Sequence, residues 1–578
     1  MPRPQKRSFL PFIIFAFIII LLIGAFAAVH YMPSSRTISY RTAMELSSRG
    51  YFIVGGEPLG HINAPEIKND ILYVPVDFVK AQLDKYIFWD DKADRLSITT
   101  ENRVIRMSTD NLDYYINHEP MRLNLPVYAI GGQAYLPAEF LEDFYGVQFD
   151  YIPDTSFAIV TMPGEGFSTA LTSKKASLRF EPDIKSPILK PIAKGTVIVL
   201  RESYDKTAKF IKIQTADGTA GFIPSGVIGE VTHTDPKPLS PPETPLHLKK
   251  PIEGRITMLW DQINVYEDNS RPEKFLKYSG LDVLSPTWFS FNEQSDGTIN
   301  GDIINIAEKS YVEWAHENGY QVWAVLTDNF NSNISHAVLA NTEKREYVIK
   351  QLLAFTSMYN LDGINIDFEK VRVDDADYYL QFLRELGPLL REQGASLSVD
   401  MFVPTYTKHY NRTEVAKVVD YICVMAYDEH YSGSETSGPV ASLPFVDRGI
   451  MDTLLEVPKE KIIMGMPFYV RVWRELEENG KPVHTIRNLM MDAAYRVFVE
   501  NGAKFTWLPD IGSYYAEYSV EEDGKDVTYR VWLEDLRSIQ EKLDMASYYE
   551  IAGVAGWRRG LESAETWDAI ATWRSEGH

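Results

Sequence analysis

From Ile256 to Trp557, eight short apolar runs alternate with amphipathic stretches of helical period, and one run carries polar side chains at every second position. These two observations predict an α/β fold whose larger part is a TIM (β/α)8 barrel, with a small insertion between strands 7 and 8. A third observation, a short pattern that recurs near the N-terminus, predicts an α+β repeat domain ahead of the barrel, with a small β-barrel module between them. The eight runs are Ile256 to Trp260, Val283 to Phe291, Gln321 to Thr327, Gly363 to Glu369, Ser396 to Val403, Tyr421 to Tyr427, Ile462 to Phe468 and Gly553 to Trp557. In such barrels chemistry sits at the C-terminal ends of the strands. The gap between the last two runs, about 85 residues, exceeds one loop and helix, and an insertion with its own hairpin around Phe505 to Trp532 accounts for it.

Taken in chain order, the first segment, 1–35, reads as a cytoplasmic tail and transmembrane anchor. Arg3, Lys6 and Arg7 precede an uncharged apolar run from Phe9 to Val29, about the 20 residues a bilayer requires. Positive charge before the run holds that end inside, which places the later domains outside as a single-pass membrane protein. Ala25-Phe-Ala27 resembles a signal cleavage site, so secretion after cleavage is the competing expectation. In 36–165 the run Ile71-Leu-Tyr-Val-Pro-Val-Asp-Phe-Val79 returns as Gln133-Ala-Tyr-Leu-Pro-Ala-Glu-Phe-Leu141, each copy leading into an alternating strand pattern. In 166–231 short strands alternate with turns, among them Asp217-Gly218, a hairpin signal. The stretch 232–250 holds Pro236, Pro238, Pro241, Pro242 and Pro245 and reads as a semi-rigid linker. The barrel domain occupies 251–578.

Composition narrows the chemistry. A net charge of −22 argues against nucleic acid, whose phosphates call for a basic surface. The 11 histidines show no metal-ligand spacing and the single cysteine, Cys423, lies in an apolar run, so neither a metal site nor a disulfide framework is expected. The fourth run, Asp362-Gly-Ile-Asn-Ile-Asp-Phe-Glu369, turns Asn365, Asp367 and Glu369 into the barrel and Ile364, Ile366 and Phe368 toward the helices. Three polar side chains on the inner face of a central strand are costly to bury without a use. Asp367 beside Glu369 opposes its ionisation, which suits a general acid near neutral pH.

This run resembles the D-x-x-D-x-D-x-E signature of family 18 chitinases and related hexosaminidases. Met425-Ala-Tyr-Asp428 is similar to that family's M-x-Y-D motif, and Gly465-Met-Pro-Phe-Tyr469, Val531-Trp-Leu-Glu-Asp535 and Gly553-Val-Ala-Gly-Trp557 fall in the family's order. The likeness covers about residues 250 to 575 and lies nearest the spore-cortex-lytic branch. The segment 36–165 resembles the copper amine oxidase N-terminal domain, with no copper site carried over, and reads as a stalk. The segment 166–231 resembles a bacterial Src-homology-3-like module able to hold the cell wall.

The family 18 resemblance implies a retaining mechanism in which the substrate's own N-acetyl oxygen attacks the anomeric carbon. Glu369 is then the proton donor, Asp367 orients the acetamide and Tyr427 bonds its carbonyl oxygen. Asn365, Met425, Asp428 and Tyr469 line the substrate site, Trp557 forms the floor under the sugar ring, and no cofactor or metal is needed. Two departures stand out. Asn365 occupies a position where the chitinase signature has Asp, and an amide cannot take up a proton. Ser285-Pro-Thr-Trp-Phe-Ser-Phe291 lacks the chitinases' S-x-G-G, which turns the expected substrate from chitin toward peptidoglycan. A non-catalytic, lectin-like wall protein is the alternative from another class.

Overall fold

The computed structural model describes residues 10–235, 252–478 and 481–577. Arg3, Lys6 and Arg7 and almost all of the proline-rich stretch lie outside those residues. The chain divides into two compact units, one gathering most residues before that stretch and the other holding the barrel.

Leu10–Tyr31 is a helix of 22 residues whose described apolar side chains are exposed. Among the described residues no helix is long and apolar enough to cross a membrane. Beyond it, the repeated pattern folds as two like strand–helix pairs, Ile71–Pro75 into Val76–Gln82 and Gln133–Pro137 into Ala138–Tyr145. The two strands pair antiparallel with Val74 opposite Leu136, Tyr73 opposite Pro137 and Pro75 opposite Tyr135. Such reciprocal pairing is what two copies related by a local two-fold axis produce, and it buries Val74, Leu136, Tyr73 and Tyr135. The segment from Phe167 to Thr234 forms a seven-stranded antiparallel sheet around Leu178, Ile198, Ile211, Ile213 and Ile223. Its Asp217-Gly218 turn joins Phe210–Thr215 to Ala220–Pro224, with Gly218 at φ +84°, a left-handed conformation that favours glycine.

The barrel is a closed ring of eight parallel strands: β1 Ile256–Asp261, β2 Val283–Pro286, β3 Gln321–Thr327, β4 Gly363–Asp367, β5 Ser396–Phe402, β6 Tyr421–Met425, β7 Ile462–Pro467 and β8 Gly553–Trp557. Each pairs with the next, and β8 pairs with β1 to close the ring. The second run, read as one strand from Val283 to Phe291, is two. Pro286 has no N–H for the ladder, so β2 stops there, and Phe289–Glu293 turns into a hairpin with Ile299–Asn305. The insertion between β7 and β8 is larger than the single hairpin expected. It begins at Tyr469 and forms a five-stranded sheet from Tyr469–Glu478, Lys481–Met490, Thr506–Leu508, Ser513–Glu522 and Lys525–Leu533, with helix Met491–Glu500 between them.

A buried ionic cluster ties the closure together. Asp261, the last residue of β1, accepts from Tyr311 Oη at 2.8 Å and from Arg559 just beyond β8 at 2.9 Å, and it also pairs with Lys274. Buried charges of this kind are tolerable only as a set, because removing one member leaves the others desolvated and unpaired. Asp261→Asn strands two buried cations, so it is expected to destabilise the barrel unit by about 3 to 5 kcal/mol. Denaturant unfolding measures this, and a loss below about 1 kcal/mol, the scale of an exposed pair, would show that the cluster does not hold the closure.

Candidate active site

The site grows from the alternation along β4. Ile364, Ile366 and Phe368 are fully buried on the outer face, with Phe368 stacked on Phe382 at 5.9 Å and beside Tyr379 at 6.0 Å, both on helix Ala376–Glu392. That packing fixes the strand's rotation and sends the alternate residues inward. Asp362, at the opposite end of the strand, takes no part in the site. Its carboxylate pairs with His316 at 2.7 Å and accepts from the Val322 N–H at 2.9 Å, joining β4 to β3.

Inside the barrel, Asn365 donates through Nδ2 to Ser398 Oγ at 2.9 Å and to Asp400 Oδ1 at 2.8 Å, both on β5. The indole N–H of Trp260 on β1 points at Asn365 Oδ1 (3.3 Å) and Asp400 Oδ2 (3.2 Å). One layer higher, Asp367 keeps a buried Oδ1 with no hydrogen-bond partner among the described residues. Burial, then the charges of Asp400 and Asp328, push its carboxyl well above the usual range. Glu369 stands just beyond the end of β4, in the turn that follows. Its carboxyl is pushed from 4.5 up to about 8 by burial first and by Asp367 next, so at neutral pH it carries a proton. The turn under it is held by Asp328, which accepts from Lys370 N–H at 2.9 Å and from Ser335 Oγ at 2.6 Å.

The sixth and seventh strands bring the second half. Met425 ends β6, and Tyr427 follows it, 6 % exposed, with a hydroxyl bonded to none of the described residues. A Cβ at Gly465 of β7 would come within 3.0 Å of the Tyr427 ring, so the glycine makes room for the ring at this height. Asp428 adopts φ +63° and is held from the insertion by Tyr469 Oη and by Arg471 at 2.7 Å. Trp557, the last residue of β8, meets the edge of Trp260 at 6.1 Å between ring centres. The fold thus brings Asn365, Asp367, Glu369, Met425, Tyr427 and Trp557 to the C-terminal ends of β4, β6 and β8, with Asp428 and Tyr469 joined beside them. Asp400, Asp328, Arg471 and Trp260 belong to the same neighbourhood and carried no motif of their own in the sequence. Among the described residues no group of three or more His, Cys, Asp or Glu is arranged to hold a metal ion.

The family described as Glycosyl hydrolases family 18 matches residues 255–562, more than half of the chain. The chain belongs to glycosyl hydrolase family 18. The copper amine oxidase N-terminal domain matches residues 53–160, the strand–helix repeat. The family 18 chain is 30% identical over 272 residues to a Bacillus subtilis protein named as a sporulation-specific glycosylase, YdhD, covering 45% of this chain and 63% of that one. It is 25% identical over 290 residues to the cortical fragment-lytic enzyme of Bacillus subtilis, covering 48% of this chain and 65% of that one. The chain therefore spans less than two thirds of each of these relatives. The crystal structure of the Bacillus cereus spore cortex-lytic enzyme SleL is similar to it with a TM-score of 0.47 at 19% identity, over 55% of this chain and 73% of that one.

A carboxyl whose folded pKa is raised ionises at a cost to the fold. For Glu369 stability is fully present below about pH 4.5, the unfolded value, and is lost as pH rises toward about 8. Glu369→Gln is neutral throughout and escapes that loss. The variant is expected to melt higher than the parent at pH 8.5 and equally below pH 4.5, on the scale of about 1.4 kcal/mol for each tenfold weakening of the carboxyl's acidity, reduced by partial solvation. Identical melting differences at both pH values would show that Glu369 ionises as an ordinary surface carboxylate.

Proposed function

We propose that this family 18 chain is a glycoside hydrolase that cleaves an N-acetylglucosamine-containing polymer of the cell wall, peptidoglycan rather than chitin. The observation that carries the reading is the placement of three groups at one end of the barrel: a Glu369 whose carboxyl burial and Asp367 push up, an Asp367 with a bare buried oxygen and a Tyr427 hydroxyl without a partner among the described residues. Buried polar groups are almost always bonded, so groups left open in a cleft are those a substrate completes. Glu369 gives its proton to the glycosidic oxygen and then, as a carboxylate, takes one from the incoming water. Asp367 orients the acetamide whose oxygen attacks the anomeric carbon, and it balances the positive charge of the cyclic intermediate. Tyr427 donates to that acetamide oxygen, and Trp557 supplies the apolar floor under the ring.

The preference for peptidoglycan rests on Ser285-Pro-Thr-Trp-Phe-Ser-Phe291, where chitinases have S-x-G-G, and on the names of the cortex-lytic relatives. Delivery to the wall fits the N-terminal sequence: the positive charges before the uncharged apolar run Phe9 to Val29 support a membrane anchor with the barrel outside. The seven-stranded module fits a wall-binding spacer. In intact cells, external protease is then expected to remove everything beyond about residue 35, and active protein released into the medium with its N-terminus just after Ala27 would replace the anchor with a cleaved signal.

The decisive test is Glu369→Gln in a soluble form beginning near Arg36. It should retain glycan binding while turnover falls about 10²- to 10⁴-fold, the usual contribution of a general acid. Mass spectrometry of fragments released from peptidoglycan and from chitin oligomers reads both the loss and the substrate preference. Near-parental turnover by a folded Glu369→Gln would remove this residue from the chemistry. Sugar binding by the parent without turnover on either polymer would make the protein a lectin.

A further inference from the structure

Position 365 carries an amide, yet the barrel interior beside it holds a carboxylate from the neighbouring strand. Asp400 is 4 % exposed on β5, and the donors on it are the Asn365 amide (2.8 Å), the Trp260 indole (3.2 Å) and the Cys423 thiol, all neutral. Asn365 spends its other amide hydrogen on Ser398 and turns its oxygen to the Trp260 N–H, so the arrangement locks the amide in place and leaves Asp400 as the carboxyl at this height.

The groups acting on Asp400 and those on which it acts come from every wall of this interior. From β4 and its following turn come Asp367 and Glu369, from β6 Cys423 and the adjoining Tyr427, and from helix Ala376–Glu392 comes Tyr379. None of these is a cation. Asp400 is the strongest charge acting on Asp367, ahead of Asp328. Its carboxyl is pushed up to about 7 by burial, against the pull of the Asn365 amide, so it changes charge near neutral pH.

We propose that Asp400 is a positioning residue of the hydrolase: it is the proton-holding carboxyl of the barrel interior in place of the one absent at position 365, and its charge acts directly on both Asp367 and Glu369, holding their protons on. The carboxyl has moved to the adjacent strand while the amide keeps the hydrogen-bond frame. Three carboxyls crowded together, one buried and two half-buried, cannot all ionise readily, and where the remaining protons sit is a property of the set. With Asp400 ionised, Asp367 and Glu369 hold their protons more tightly. With Asp400 neutral or absent, both release them at lower pH.

This rests on the hydrolase reading, and its test separates the two. Carboxyl-carbon NMR on the unliganded protein follows Asp400 directly: a titration between about pH 6 and 8 is expected, and a titration near the ordinary value of about 3.9 would overturn the proposal whatever the activity. Asp400→Asn should keep KM within a fewfold, lower kcat by about tenfold or more, and move the basic limb of the kcat/KM profile to lower pH, because Glu369 loses a neighbouring negative charge. Asn365→Asp/Asp400→Asn, which returns the carboxyl to β4, should recover most of kcat and the limb. A basic limb that stays in place in Asp400→Asn, or a double variant as impaired as the single one, would reduce Asp400 to packing. If Asp400→Asn does not fold, Asn365→Asp alone decides: a carboxyl added beside Asp400 should move the basic limb up, and an unmoved limb would overturn the proposal. A parent inactive on every N-acetylated polymer would defeat the hydrolase reading and leave the NMR result standing by itself.

Discussion

The hydrogen-bond fork of Asn365 is the point at which the barrel's strands must agree. Its amide reaches two side chains of β5 while its oxygen faces an indole of β1, so three strands are fixed to one another at a height just below the open end. Everything catalytically suggestive is set by reference to it. Asp367 is two residues further along β4, Trp557 leans on the Trp260 that completes the fork, and Asp400 owes its orientation to the same amide. A buried amide bonded through both ends is among the stiffer elements a core offers, because any shift leaves a donor or acceptor unpaired at about 1 to 3 kcal/mol each.

Two acidic centres inside this barrel show opposite solutions to the cost of desolvating a carboxylate. Asp261 is surrounded by Arg559, Lys274 and a tyrosine hydroxyl, which makes it a strut. Asp367, Asp400 and Glu369 crowd together with neutral donors, and among the described residues Lys370 is the cation that acts on them, so burial and mutual repulsion raise all three. The second arrangement works against the fold and is what a proton-transfer site requires, since stability is given up where a group must be free to change charge. The first stands beside β1 and β8 and steadies the strands that carry Trp260 and Trp557.

The row on β4 was legible because alternation turns three polar residues to one face, and Trp557 because it ends an apolar run; both are local patterns along one strand. Asp400 and Arg471 were not, since each joins the site through pairing of strands distant in sequence and carries no spacing that distinguishes it from an ordinary strand polar residue. The repeat at Ile71 and Gln133 could be read from two copies of one pattern, whereas the antiparallel seam between Val74 and Leu136 could not. Pro286 held the clue to the early end of β2, but an apolar run through Phe291 masked it. The insertion was undercounted for a similar reason: Tyr469 continues the apolar run of β7, so the start of a new sheet looked like the end of an old strand.

That undercounted insertion also settles how Asp428 reaches its place. A non-glycine residue at φ +63° is held against a local preference, and persists only where surrounding bonds outweigh it. Here the bonds come from Tyr469 and Arg471, both on the first insertion strand, and Arg471 also donates to the His430 carbonyl just beyond Asp428. The insertion sheet therefore acts on the loop after β6 as a clamp, fixing the carboxylate and the backbone that follows Tyr427. Since the Tyr427 hydroxyl has no partner among the described residues, its aim depends on that backbone and on the space left by Gly465. A module that looks like an addition to the barrel is in this way part of what orients the Tyr427 hydroxyl.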